Sequence, residues 1–322
     1  MSISVFANQY GRGLKRGNSV TKNNYEPTRI LRANDAFHWK GHARVAIVFN
    51  IAFEAWSDGE APPIGPMGNV LKPGYFDSNA HSWANYGIVR GVQRLSRIAE
   101  NNEIKTSVMT NGVVTQRNPD MIRQLHKAGH DVYAHSWGMD VIPVYLDEAG
   151  ARANIERNTQ VLQNITGERP TGWISPRGTG APGHPALLAE AGYVWHGDCN
   201  DDDLPAIAEY DDGSGGVRRI VNIPLTMDVN DLPHSIRYGN NPGALVDHFQ
   251  DVLDGTEGAD DQPFMLDVTA HTHVYGRPAG AWAFDAMMKI ALERDDVWIT
   301  TRRSIADYTL AHSATMFSPG TI

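Results

Sequence analysis

Cysteine is almost absent: Cys199 is the only one in 322 residues. No intrachain disulfide is therefore possible, and the fold does not depend on an oxidising compartment. Long apolar runs are missing as well, since no window approaches the roughly 18 hydrophobic residues of a membrane-spanning helix. Positive charge is in short supply, with 28 Lys and Arg against 37 Asp and Glu, a net charge of −9. Without a basic stripe, neither a nucleic acid nor an anionic membrane is an expected partner. The first residues, MSISVFANQYGRG, lack the basic and then apolar order of a secretory signal, so a cytoplasmic location is the expectation. No internal repeat is visible.

What is present is an ordinary globular composition, arranged as short apolar runs between helical stretches. Residues 1–40 are polar and aperiodic and read as an arm over the body or a neighbouring subunit. Residues 41–312 read as one domain, and 313–322 as a tail. Arg44-Val-Ala-Ile-Val-Phe-Asn50 is rich in β-branched residues and reads as a buried strand. Further strands are expected at 105–110, 130–135, 171–175, 193–196, 219–224, 263–270 and 296–299. Helices are expected at 86–101, 119–127, 147–165, 184–191, 242–253, 279–292 and 302–309. A Pro- and Gly-rich segment at 56–84 and an Asp- and Gly-rich one at 201–216 read as loops, and a loop as long as the first is often functional. Alternation of this kind implies about seven parallel strands with helices outside them.

In parallel α/β folds the catalytic groups project from the C-terminal ends of strands. The polar residues just past these runs are Asn50 and Glu54, Asn111, His135, Trp137 and Asp140, Ser175 and Arg177, His196, Asp198 and the 200–203 run, Asp228 and Asn230, and His271 and His273. So many on one face imply a site there.

Several of these stretches, in this order, resemble one family. They are Ala46-Ile-Val-Phe49 through Phe53-Glu54, Tyr86-Gly87 with Gly91 to Leu95, Ala134-His-Ser-Trp137, and Gly167-Glu-Arg-Pro-Thr-Gly-Trp173 with Arg177. Asp202-Asp-Leu-Pro205, Pro224 to Asn230, and Ala270-His271 with Gly276-Arg-Pro278 complete the set. Together they resemble the polysaccharide deacetylase (NodB-homology) superfamily, and within it the metal-independent allantoinase and cyclic-imidase-like branch. The resemblance covers about residues 42–308 and implies a distorted (β/α) barrel of NodB-homology type. It also implies a homo-oligomer, a dimer or tetramer in which the 1–40 arm makes contacts.

The departures bear on mechanism. Metal-dependent relatives hold their ion with an Asp after the first strand and a His-x-x-x-His pair, whose second His falls at Met139 here. A thioether is a soft, neutral donor poorly matched to zinc in an N/O site, and Glu54 with His135 falls short of three protein ligands. No cofactor is therefore expected, the alternative being one divalent metal such as zinc in a site rearranged around His196 or His273.

Hydrolysis of an amide needs an attacking water, a stabiliser for the oxyanion and a proton for the leaving nitrogen. Glu54 is the candidate general base. Its apolar neighbours Phe53 and Trp56 suggest a pKa raised toward neutrality, while the plainer reading is a structural ion pair. His271 is the candidate acid and His135 orients the carbonyl or the water. Arg177 suits a ligand carbonyl or carboxylate, and Trp137 is an apolar wall for a flat ring. Asn50, Asp228 and His273 complete the substrate-binding candidates, with Asp202 drawn from a run that otherwise reads as a solvated turn. Cys199 reads as an inert thiol rather than a nucleophile. The expected function is hydrolysis of carbon–nitrogen bonds in a small cyclic amide, ureide or imide. The alternatives are a metal-dependent N-deacetylase or deformylase, and a catalytically silent binding protein on the same fold.

Overall fold

In the computed structural model residues 26–65, 67–259 and 262–320 are described. Their strands are β1 (Arg29–Ala33), β2 (Val45–Phe53), β3 (Ser107–Thr110), β4 (Asp131–Ala134), β5 (Gly172–Trp173) and β6 (Trp195–His196). Next come β7 (Ala206–Asp211), β8 (Val217–Asn222), β9 (Val229–Asn230), β10 (Phe264–His271), β11 (Val297–Thr300) and β12 (Phe317–Pro319). They form one sheet in the order β12-β1-β7-β8-β6-β5-β4-β3-β2-β10-β9, with β11 also paired to β2.

From β8 to β9 every pairing is parallel, whereas β7, β1 and β12 extend the sheet antiparallel. The expected parallel α/β architecture is borne out, but closure into a barrel is not shown. The hydrogen-bonded path among the described residues does not return on itself, so the architecture is a mixed α/β fold with a mainly parallel sheet. The arm and tail boundaries also shift. Arg29–Ala33 pairs with β7 and with Phe317–Pro319, and Leu31, Phe37 and Trp39 are buried. The remainder of the arm, residues 1–25, lies outside the described residues.

β2 explains the burial pattern. All nine of its residues are buried, as a strand covered on both faces requires. Alternate side chains separate into two clusters, because successive residues of a strand point to opposite faces. Val45, Ile47, Phe49, Ile51 and Phe53 pack in the larger cluster with Val92, Leu95, Phe284 and Met288 of the covering helices. Ala46 and Val48 join Met109, Tyr133, Ile174, Trp195 and Met265 in the second. These residues of the second cluster come from β2, β3, β4, β6 and β10 and the residue after β5. They fill the inner face.

Two expected loops hold structure. Asp77 accepts a hydrogen bond from the Ala80 amide and caps a helix that begins at Ser78 rather than near 86. The Asp- and Gly-rich 201–216 segment contains β7; Asp201 to Asp203 precede that strand, and only Asp212 to Gly216 make the turn into β8.

Candidate active site

Continuing the inner-face alternation of β2 past Ala46 and Val48 brings Asn50, Ala52 and then Glu54 onto the same side. On β10 the series Met265, Asp267, Thr269 and His271 does likewise, and on β4 it is Tyr133 and then His135. The pleat therefore delivers one carboxylate and two histidines to one point, from the adjacent strands β2 and β10 and from β4, which β3 separates from β2.

Glu54 and His135 are each 2% exposed and His271 8%. Glu54 Oε2 lies 3.6 Å from His135 Nε2, and Oε1 lies 4.0 Å from His271 Nε2. His135 Nδ1 is 2.6 Å from the Ile174 carbonyl, an acceptor only, so Nδ1 carries a proton and Nε2 is the atom turned to Glu54. His271 Nδ1 lies 2.5 Å from Asp231 Oδ1. The other oxygen of Asp231 accepts from the amides of His271 and Tyr275 at 2.8 and 3.0 Å. Asp231 thereby fixes both the tautomer and the tilt of the ring.

Burial is the largest influence on Glu54 and pushes its pKa up. The opposed pull of His271, His135 and His273 outweighs it and brings the carboxyl down to about 2. This overturns the expectation of a value raised toward neutrality: the apolar neighbours were legible in the sequence, but the cations from other strands were not. Burial likewise pushes His271 down, and the charges of Asp231 and Glu54 more than reverse this, raising it to about 9. At neutral pH the site holds a carboxylate beside an imidazolium. His273 goes the other way, lowered by burial to about 4.

These groups line a cavity of about 490 Å³. Met109, Met139, Ile174, Leu225 and Leu232 supply apolar walls, while Arg177, Asp140, Glu60, Asn230 and Arg237 supply polar ones. Of the sequence candidates, Glu54, His135, His271, Arg177 and His273 meet here. Asn50 does not line the cavity. It lies beneath, where Nδ2 donates to Asp267 at 2.7 Å, and Asp267 is ion-paired with the fully buried Arg302. Trp137 is no wall of the cavity either. It is wedged against Gly112 and covered by the Arg157 guanidinium, 3.3 Å above the ring. Asp202 pairs with Arg32 at 2.5 Å, and Asp228 is exposed, away from the lining.

Asp231, Arg237 and Thr269 were missed. The only signal for Asp231 was its place directly after the 224–230 run. Cys199 lies outside the cavity and burial pushes its thiol up to about 12, which keeps it protonated and a poor nucleophile.

A metal of the kind used by metal-dependent relatives does not fit the residues present. Among the described residues no three His, Cys, Asp or Glu side chains are grouped to hold an ion, and Met139 brings a thioether to the cavity.

A mainly parallel α/β sheet whose strand ends converge on a buried carboxylate and two histidines defines a fold class with its site in the expected place. Residues 77–195 match the polysaccharide deacetylase family model. The crystal structure of a probable polysaccharide deacetylase from Pseudomonas aeruginosa PAO1 is similar at 28% identity with a TM-score of 0.75, covering 87% of this chain and 95% of that one. The structure of PuuE allantoinase is similar at 28% identity and a TM-score of 0.75, covering 86% and 93%. The polysaccharide deacetylase (NodB-homology) match thus covers about a third of the chain, and the fold of nearly all of it is similar to the structures of a probable polysaccharide deacetylase and an allantoinase.

Proposed function

We propose that the protein hydrolyses a carbon–nitrogen bond of a small cyclic amide, ureide or imide, using water activated by Glu54 and no metal. The observation that carries this reading is the linked set Asp231–His271–Glu54–His135 on the wall of the cavity. Likeness to an allantoinase over nearly the whole chain supports the cyclic substrate.

Glu54 accepts a proton from water as the water oxygen bonds to the carbonyl carbon. The tetrahedral oxyanion forms beside the cationic His271, and His135 orients the carbonyl or the water. When the ring C–N bond breaks, His271 Nε2 gives its proton to the leaving nitrogen, and Asp231 stabilises the imidazolium until then. The proton on Glu54 then passes to His271 and returns the pair to its starting charges, leaving a carboxylic acid and the freed nitrogen in one opened chain, as an amine, a urea or an amide according to the ring. Arg177 holds an oxygen of the ligand.

A ring-opening panel of allantoin, hydantoin, a dihydropyrimidine and a cyclic imide tests the reading. At least one ring is expected to open, and Glu54→Gln is expected to lower that turnover by roughly 10²–10⁴-fold, the usual loss with a general base. Silence on every ring, with release of acetate from an N-acetyl sugar, would replace the reading with deacetylation.

A further inference from the structure

We propose that the substrate itself carries a carboxylate, clamped at the mouth of the cavity by Arg177 and Arg237. This rests on the reading of the cavity as the amide-hydrolysing site, and it adds the charge of the molecule that enters.

Both arginines line the cavity and are exposed, whereas Glu54 is buried at its floor. Most arginines of the fold are occupied. Arg29, Arg32, Arg44, Arg117, Arg294 and Arg302 pair with carboxylates, and Arg94, Arg169, Arg218 and Arg277 donate to backbone carbonyls. Among the described residues, neither Arg177 nor Arg237 has a carboxylate or carbonyl partner, although the cavity also contains Glu60 and Asp140. Asp140 is engaged at Ser57 instead, and Glu60 follows three residues after it. The Ser57 amide donates to Asp140 at 2.8 Å, and the Glu60 amide donates to the Ser57 carbonyl at 3.1 Å.

Arg177 is also held in a costly conformation. Its φ of 63° is left-handed, rare for a side chain this large. Ser175, two residues before it, is fixed by the buried Asp198, which accepts from its amide and its hydroxyl at 2.6 Å each. Backbone strain maintained by its surroundings at a cavity rim marks a residue placed for binding.

Two unpaired planar forks suit a carboxylate, which accepts paired hydrogen bonds from guanidinium groups. The ionised Glu54 repels such a group, so the anionic end faces the rim and the amide end descends to the water. The lining carboxylates of Glu60 and Asp140 suit the N–H groups of an amide or ureide ring. The structure thus points to a small cyclic amide with a carboxylate arm.

The test compares hydantoin with the same ring bearing an acetate arm, on the full-length protein and on Arg177→Ala and Arg237→Ala. Calorimetry with glutarate and with its uncharged diamide gives a readout that needs no turnover. The wild type is expected to favour the charged ring in kcat/KM and to bind glutarate over the diamide. Each substitution is expected to reduce both preferences by roughly tenfold or more, as loss of a hydrogen bond to a charged group should. Equal use of the two rings by the wild type, or preferences that survive both substitutions, would overturn the clamp. If no ring opens but glutarate binding still depends on both arginines, the clamp stands and the hydrolytic reading falls. If rings open without regard to the arm, the reverse holds.

Discussion

At the scale of single residues, the opposed displacement of Glu54 and His271 sets the pH behaviour. Glu54 lies below its ordinary value of 4.5, so its ionised form is favoured in the fold and is lost only as pH falls toward about 2. His271 lies above its ordinary 6.5, so its protonated form contributes stability fully below 6.5 and loses it as pH rises through about 9. We therefore expect kcat/KM to be flat between about pH 5 and 8 and to fall on the alkaline side with a midpoint near 9, because His271 then lacks the proton for the leaving nitrogen. Asp231→Asn removes the charge that holds this proton, and its alkaline midpoint is expected to fall. A pH–rate series on both proteins checks this, and an acid limb centred near 6 in the wild type would contradict it. Glu54, His135 and His271 were legible in the sequence because each ends a recognisable strand. Their charge states were not, because the partners come from different strands: Asp231 meets His271 from 40 residues away.

At the scale of elements, the turn that follows β10 is seated on a glycine of the helical segment Ser78–Asn101. A Cβ on Gly91 would lie 1.8 Å from the Thr272 carbonyl oxygen, and one on Gly276 2.0 Å from the same atom. Arg94, a turn beyond Gly91, donates to the Gly276 carbonyl. Gly91→Ala must push this turn away, and with it His271 and His273. We expect a loss of roughly 1–3 kcal/mol, typical of overpacking, together with reduced turnover. Gly255, with nothing within 4 Å of its added Cβ, is the control: Gly255→Ala is expected to be neutral or to stabilise by up to about 1 kcal/mol. Urea melts and initial rates on both variants check this. Helices were read well because their 3.6-residue period is strong over ten or more residues. The strands β1, β7, β9 and β12 were missed: β1 lies in the polar arm, β9 and β12 are only two and three residues long, and β7 adjoins a turn sequence that dominated its segment.

At the scale of the whole molecule, periodicity announces strands but not how a sheet ends, which is why the parallel order was legible and the antiparallel extension through β7, β1 and β12 was not. The Met67–Phe76 stretch leaves Met67, Val70, Leu71, Tyr75 and Phe76 largely exposed, more apolar surface than scattered residues explain. A symmetric dimer or tetramer is accordingly expected by light scattering, and a monomer at micromolar concentration would contradict it. The central claim is hydrolysis without a metal at a site whose donors do not make three ligands. Its most direct test is turnover of the best ring substrate by full-length protein after chelation, with metal content measured on the same sample. The account predicts full activity at clearly less than one zinc, cobalt or manganese per chain. Activity that is lost on chelation and restored by one equivalent of metal would contradict it.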